Sequence, residues 1–288
     1  MLKLPKPTTC YFQAHRDSIS DKNPISGIYS TYKKTIINSI FFFNAIYHIK
    51  GVTASLNTLP VLSKVYGIIT AKEMENLYTK GMVKLVKGRE HYDEIYDASL
   101  NNVCPLCALR KINTLDHYLP KAHYPQYAIM PINLYPCCTD CNNAKRDKYQ
   151  LPKNSQTIHP YFDDIVNIRW LRARVFNTPK VRLEYYVDTP PGTPALLKER
   201  IENHFNTLEI KSLYESHAAT LLISEKYFYC SLKLDSTKNL IATLTLRKTS
   251  ISRVNINQWD AVYYEALLAS QEFIEEWHKE IEEPQKVS

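Results

Sequence analysis

Two Cys-x-x-Cys pairs, Cys104/Cys107 and Cys138/Cys141, constrain this chain more than any other feature. Four thiolates at knuckle spacing form a closed, soft, tetrahedral donor set, which suits structural zinc and leaves no open position for chemistry. One such pair alone would equally fit a redox site. Of the seven cysteines, Cys10, Cys137 and Cys230 remain outside the pattern. That is no disulfide framework, and thiolate ligands need a reducing compartment, so the chain is expected in the cytoplasm. Cys137 lies next to Cys138, and the spacing favours Cys138 as the ligand.

The groups between and after the pairs are of a different kind. Asp116, His117, Asn133 and Asn142 are hard or basic donors, suited to a second, separate site. Phosphodiester hydrolysis needs an activated water and a cation to absorb charge on the phosphate. A neutral imidazole, with an unperturbed pKa of about 6.5, can take the water's proton. Mg²⁺ or Mn²⁺ prefers oxygen ligands and keeps several waters, so one carboxylate and one amide oxygen can suffice. Asp116 and His117 are adjacent, and neighbours on a strand face opposite ways. To serve one site they must sit at a twist, bulge or strand end, and Pro120 limits how far a strand can run.

The stretch Asp116-His117-Tyr118-Leu119-Pro120, then Asn133-Leu134, then Cys138-Thr139-Asp140-Cys141-Asn142-Asn143-Ala144-Lys145 resembles the HNH, or ββα-metal, endonuclease family. The resemblance implies that His117 is the general base, Asp116 and Asn142 are metal ligands, and Asn133 holds the loop that orients His117. Asn142 stands where the commonest pattern has His, as in Asn-terminated members of the family. The further run His159-Pro160-Tyr161-Phe162-Asp163 is similar to HNH subunits of Septu-type and retron-associated anti-phage systems. There the nuclease accompanies an ABC- or SMC-like ATPase, which would be the partner here. A competing reading is a zinc-containing module that binds nucleic acid or a partner without cutting anything.

Charge is consistent with a polyanionic substrate, DNA or RNA. The net charge is +7, and residues 1–150 hold 19 Lys/Arg against 11 Asp/Glu while the rest hold 17 against 18; a basic half suits a phosphate backbone. Candidate substrate contacts are Lys121, His123, Lys145 and Lys148. Lys145 sits three residues beyond Asn142 on one helical face, as a phosphate contact or as a solvated lysine. Tyr124 and Tyr127 either stack on bases or pack over the module. Arg169, Arg172, Arg174 and Arg182 either track phosphates or protect strand edges. The most apolar run, Ile36 to Ile49, is too short and too interrupted to span a bilayer, and the N-terminus lacks a signal-peptide core.

Taken in order, residues 1–27 with Pro5, Pro7 and Pro24 read as a loosely packed arm. A helix is expected from Tyr29 to Lys50, ended by Gly51, and another from Thr53 that breaks near Pro60. Thr70-Ala71-Lys72-Glu73 is a capping box, and Arg89 to Tyr96 reads as a helix leading to Cys104. Two strands joined at Asn177-Thr178-Pro179 are expected over 166–188. Helices follow at 195–206, 208–232 and from Asn257 to Glu283, the last with an apolar stripe. The fold class is α+β, mainly helical: a zinc-braced ββα-metal HNH module (101–165) set between an N-terminal helical region (1–100) and a strand pair with helices (166–288). An oligomer is possible within this scheme, because that stripe could close one.

Overall fold

A computed structural model describes residues 1–20, 25–177, 181–232 and 236–282. The chain divides into two compact units, Met1–Asp164 and Ile165–Ser288. The division expected at residue 100 is not seen, because the N-terminal helices and the cysteine module share one unit and one core. Pro24, the Thr178-Pro179 turn and Glu283 lie outside the described residues.

The N-terminal arm is tied down, contrary to expectation. Met1 and Leu4 are buried, and the backbone amides of Leu2 and Leu4 donate to the carbonyls of Pro105 (2.8 Å) and Pro160 (3.1 Å). A short helix follows, α1 (Tyr11–Asp17). The long helix α2 (Ile25–Val52) bends at Tyr32 and buries Ile36, Ile40 and Tyr47. Gly51 does not end it. A Cβ there would stand 2.4 Å from the Phe162 ring, so the residue is a close-packing glycine rather than a terminator. The helix expected after Thr53 shrinks to one 3₁₀ turn, Leu56–Thr58, since Pro60 disfavours helical geometry in the residue before it. Two minimal strands, β1 (Lys64–Val65) and β2 (Ile69–Thr70), pair across a turn with Tyr66 and Gly67 at positive φ.

The capping box forms as written: the Thr70 side chain accepts from the Glu73 amide and the Glu73 carboxylate accepts from the Thr70 amide (2.8 Å). It starts α3 (Ala71–Asn76), which passes directly into a π-helical turn, Leu77–Met82. Helix α4 (Val86–Asp97) then leads to the first cysteine pair. The module itself is a hairpin, β3 (Thr114–His117) against β4 (Leu134–Cys137), followed by helix α5 (Thr139–Lys145). The register sets Asp116 opposite Tyr135 and His117 opposite Leu134.

In the second unit, β5 (Leu171–Phe176) pairs antiparallel with β6 (Arg182–Val187). Helices α6 (Ala195–Thr207), α7 (Ile210–Leu232), α8 (Thr237–Ser252), α9 (Trp259–Ala269) and α10 (Gln271–Glu282) complete it. The Ser/Thr-rich α8 carries no sequence stripe and was not expected. The expected last helix is two, broken at Ser270, whose backbone is extended. Its apolar stripe is core: Tyr263, Leu267, Phe273, Ile274 and Trp277 are buried. Asn257 stands before α9, where its side chain accepts from the amides of Trp170 (3.0 Å) and Leu171 (3.1 Å).

The π turn packs on the first helix through its glycine. A Cβ at Gly81 would lie 2.2 Å from the Ser18 carbonyl oxygen, a backbone atom that cannot swing aside. Gly81→Ala is therefore expected to destabilise the first unit by about 1–3 kcal/mol, read as a lower urea midpoint. An unchanged midpoint would show that the two backbones separate freely.

Candidate functional site

The four cysteines converge. The sulfurs of Cys104, Cys107, Cys138 and Cys141 all lie within 4.8 Å of one another and all four residues are buried. A metal–sulfur bond of about 2.3 Å sets tetrahedral sulfurs roughly 3.8 Å apart, so small adjustments would close the cage on an ion. In each pair a backbone amide donates to a cysteine sulfur: Arg110 to Cys107 (3.5 Å) and Cys141 to Cys138 (3.4 Å). Cys138 is also the N-cap of α5. Hydrogen bonds among the thiols push Cys104 down to about 3 and carry Cys138 down with it, while Cys107 and Cys141 are driven up. Clustered thiols without a cation must divide into thiolates and protonated donors. A divalent ion removes that conflict, and the donor set fits one such as zinc. Cys137 is outside the cage; its buried thiol donates to the Cys138 carbonyl (3.3 Å) and is pushed up by its hydrogen bond with Cys104.

Asp116 and His117 close strand β3, the strand-end position that two adjacent site residues require. His117 is only 5% exposed. Its Nε2 lies 2.8 Å from the Ala128 carbonyl; a carbonyl can only accept, so Nε2 carries the proton and Nδ1 keeps its lone pair. Nδ1 makes no hydrogen bond among the described residues. Burial, helped by the nearby Lys121 charge, pushes the imidazole down to about 3, so the ring is neutral at ordinary pH. The Tyr78 ring, delivered by the π turn, meets the imidazole edge-on with centroids 4.6 Å apart.

The Asp116 carboxylate is 8% exposed and held on both oxygens. Oδ1 accepts from the His117 amide (2.7 Å), and Oδ2 accepts from the Tyr135 hydroxyl (2.9 Å) and faces the Lys145 ammonium (3.1 Å). Lys145, expected as a phosphate contact or a solvated lysine, is instead buried against Asp116. It is 9% exposed and also donates to the His117 carbonyl (2.6 Å). Asn142, one turn earlier on the same face of α5, is partly buried, and its side chain makes no hydrogen bond among the described residues.

Asn133 is fully buried with its amide saturated. Oδ1 accepts from the Leu119 amide (2.8 Å) and the Tyr47 hydroxyl (2.7 Å), and Nδ2 donates to the Leu119 and Tyr127 carbonyls (3.1 Å each). It thus clamps both ends of the loop whose next residue, Ala128, receives His117. Of the candidate substrate contacts, Lys121 is partly exposed and lies 5.6 Å from the Tyr78 ring centre. His123 stacks on Tyr149 at 3.6 Å, and Lys148 is exposed. Tyr124 and Tyr127 are fully buried and pack the module. His159 is buried too, its Nδ1 accepting from the Tyr161 amide (3.2 Å). In the second unit, Arg169 and Arg172 pair with Glu265, and Arg174 with Glu184.

Three tyrosines escaped the sequence reading. Tyr135 could have been found from the register, as the residue opposite Asp116. Tyr47 and Tyr78 lie far upstream, and no local signal marks them.

Cys104→Ser is expected to abolish metal binding at the four cysteines and lower the melting temperature of the first unit. Metal analysis and a melting curve both matching the parent chain would count against the four-sulfur cage.

Over 228 residues the chain is 28% identical to "Protein ea31" of Escherichia phage lambda, covering 73% of this chain and 76% of the phage protein. No family model and no solved structure matches it. No helix among the described residues is long and apolar enough to cross a membrane.

Proposed function

We propose that the first unit is a metal-dependent HNH endonuclease that hydrolyses phosphodiester bonds of nucleic acid. One observation carries this reading: His117 is held by its Nε2 on the Ala128 carbonyl, with Nδ1 unengaged, at the end of the strand that also carries Asp116. A base whose tautomer is set by a backbone acceptor is ready to take a proton through its other nitrogen. The cage of four cysteines, read as structural zinc, braces the hairpin from outside and takes no part in the reaction.

Asp116 and the unengaged Asn142 amide offer two oxygen donors, which fits a hard divalent ion that retains waters. Bound there, Mg²⁺ or Mn²⁺ would neutralise charge developing on the phosphate and on the leaving oxygen. His117 removes a proton from the attacking water at Nδ1. Tyr78 and the Ala128 carbonyl keep the ring from turning while it does so, and Asn133 keeps the loop carrying that carbonyl from moving. Lys121 and Lys148, with His123 beside them, supply positive charge and hydrogen-bonding groups for the approaching backbone. An anti-phage role with an ABC- or SMC-like ATPase partner is part of the same proposal, and it rests on the His159–Asp163 resemblance.

Cleavage of plasmid, single-stranded DNA and tRNA with Mg²⁺ or Mn²⁺, run with and without such an ATPase, tests the assignment. His117→Ala should lower the rate by about a hundredfold or more while metal content at the cysteines stays the same. Retained turnover in that variant would rule out His117 as the base, whereas a parent chain that cleaves none of these substrates under any of these conditions would leave the non-catalytic zinc module as the better account. Because burial holds His117 down to about 3, the base is already free at pH 5. The rate limb that reports it should therefore stay level from pH 8 to pH 5 and fall only on further acidification. A midpoint near pH 6.5 would mean that the imidazole titrates as an exposed group.

A further inference from the structure

Resting on the nuclease reading, we infer that Lys145 is a positioning residue that makes Asp116 a one-oxygen ligand and so selects small octahedral cations over calcium. A carboxylate offers about four lone-pair sites on its two oxygens. On Asp116, Oδ2 is fully used, by the Tyr135 hydroxyl at 2.9 Å and the Lys145 ammonium at 3.1 Å. Oδ1 has one site taken by the His117 amide at 2.7 Å and one left. An incoming divalent ion therefore meets a single open lone pair, with a fixed positive charge on the far oxygen.

The ammonium is not free to leave. Its second bond, to the His117 carbonyl at 2.6 Å, ties it to the strand end, and its side chain is one-tenth exposed. Helix α5 stops at this residue, with Arg146 next at a φ of 56°. A non-glycine residue at positive φ is uncommon, so the backbone is turned sharply just where the lysine is set. Tyr135 alone would not have the same effect, because a hydroxyl can rotate away and carries no charge to repel a cation.

The consequence is selectivity. Calcium takes six to eight oxygens at flexible distances and readily binds a carboxylate through both, whereas magnesium is held in octahedral geometry by one or two carboxylates and its own waters. Manganese shares the preference for oxygen donors in octahedral geometry. Blocking Oδ2 removes the two-oxygen mode and leaves the one-oxygen mode intact.

The test is the pair of dissociation constants for Mn²⁺ and Ca²⁺, measured by calorimetry on the full chain with its cysteine site loaded with zinc. The parent chain should prefer Mn²⁺ by about tenfold or more, and Lys145→Met should narrow that ratio by about tenfold, mainly by tightening Ca²⁺. Tyr135→Phe, which keeps the ammonium, should move the ratio little. Zinc content and circular dichroism establish that each variant is folded, and Lys145→Gln replaces the methionine variant if that one is not. A parent chain that binds both ions equally, a ratio unmoved by loss of the ammonium, or Tyr135→Phe matching Lys145→Met overturns the inference. Mn²⁺ binding that survives Asp116→Asn unchanged instead overturns the nuclease reading beneath it.

Discussion

Four sulfur atoms crowded into one buried volume are the constraint from which the rest of the first unit follows. The first pair ends seven residues before β3 and the second begins one residue after β4, so joining them closes the hairpin at its open end. Because Cys138 caps α5 and Cys141 lies in its first turn, the same closure sets the direction of the helix. Lys145 is then carried to the strand that bears Asp116 and His117. The module shares its core with the N-terminal helices, and an ion held by the four sulfurs would add to that packing, because metal-binding free energy becomes folding free energy.

Around that brace, the polar groups are satisfied mostly within the module, and the N-terminal helices add a hydrogen bond and a ring contact. Asn133 has four hydrogen-bond partners and no exposure, and one partner is Tyr47 of α2. Tyr78 comes from the π turn and Tyr135 from the facing strand. Leaving a buried amide or carboxylate unpaired costs about 1–3 kcal/mol or more, so these partners keep the loop and the strand end in one arrangement. Desolvation has a chemical effect as well, since a buried imidazole is kept neutral, which is the form a base must have.

The same accounting pairs charges that the sequence left open. Arg169, Arg172 and Arg174 read as either phosphate-tracking or edge-protecting, and each faces an acid from a neighbouring element or the paired strand. Lys145 read as a phosphate contact or a solvated lysine one helical turn from Asn142, yet its ammonium is spent on Asp116 and a carbonyl. Charge counts and helical spacing cannot see such pairings, because they depend on which acid is brought opposite.

Local rules fixed a good deal from the residues alone. The capping box at Thr70, the antiparallel pair over 171–187, the helices at 195–207 and 210–232, and the grouping of the two cysteine pairs are all interactions between near neighbours or consequences of strict spacing. Gly51 as a close-packing residue, the pinned N-terminal arm, and the placing of Tyr47, Tyr78 and Lys145 around His117 and Asp116 are not. Each depends on an atom supplied from a distant part of the chain. Spacing along the backbone encodes which groups can meet locally. Only the folded packing decides which of them lose their water and which charge stands beside them.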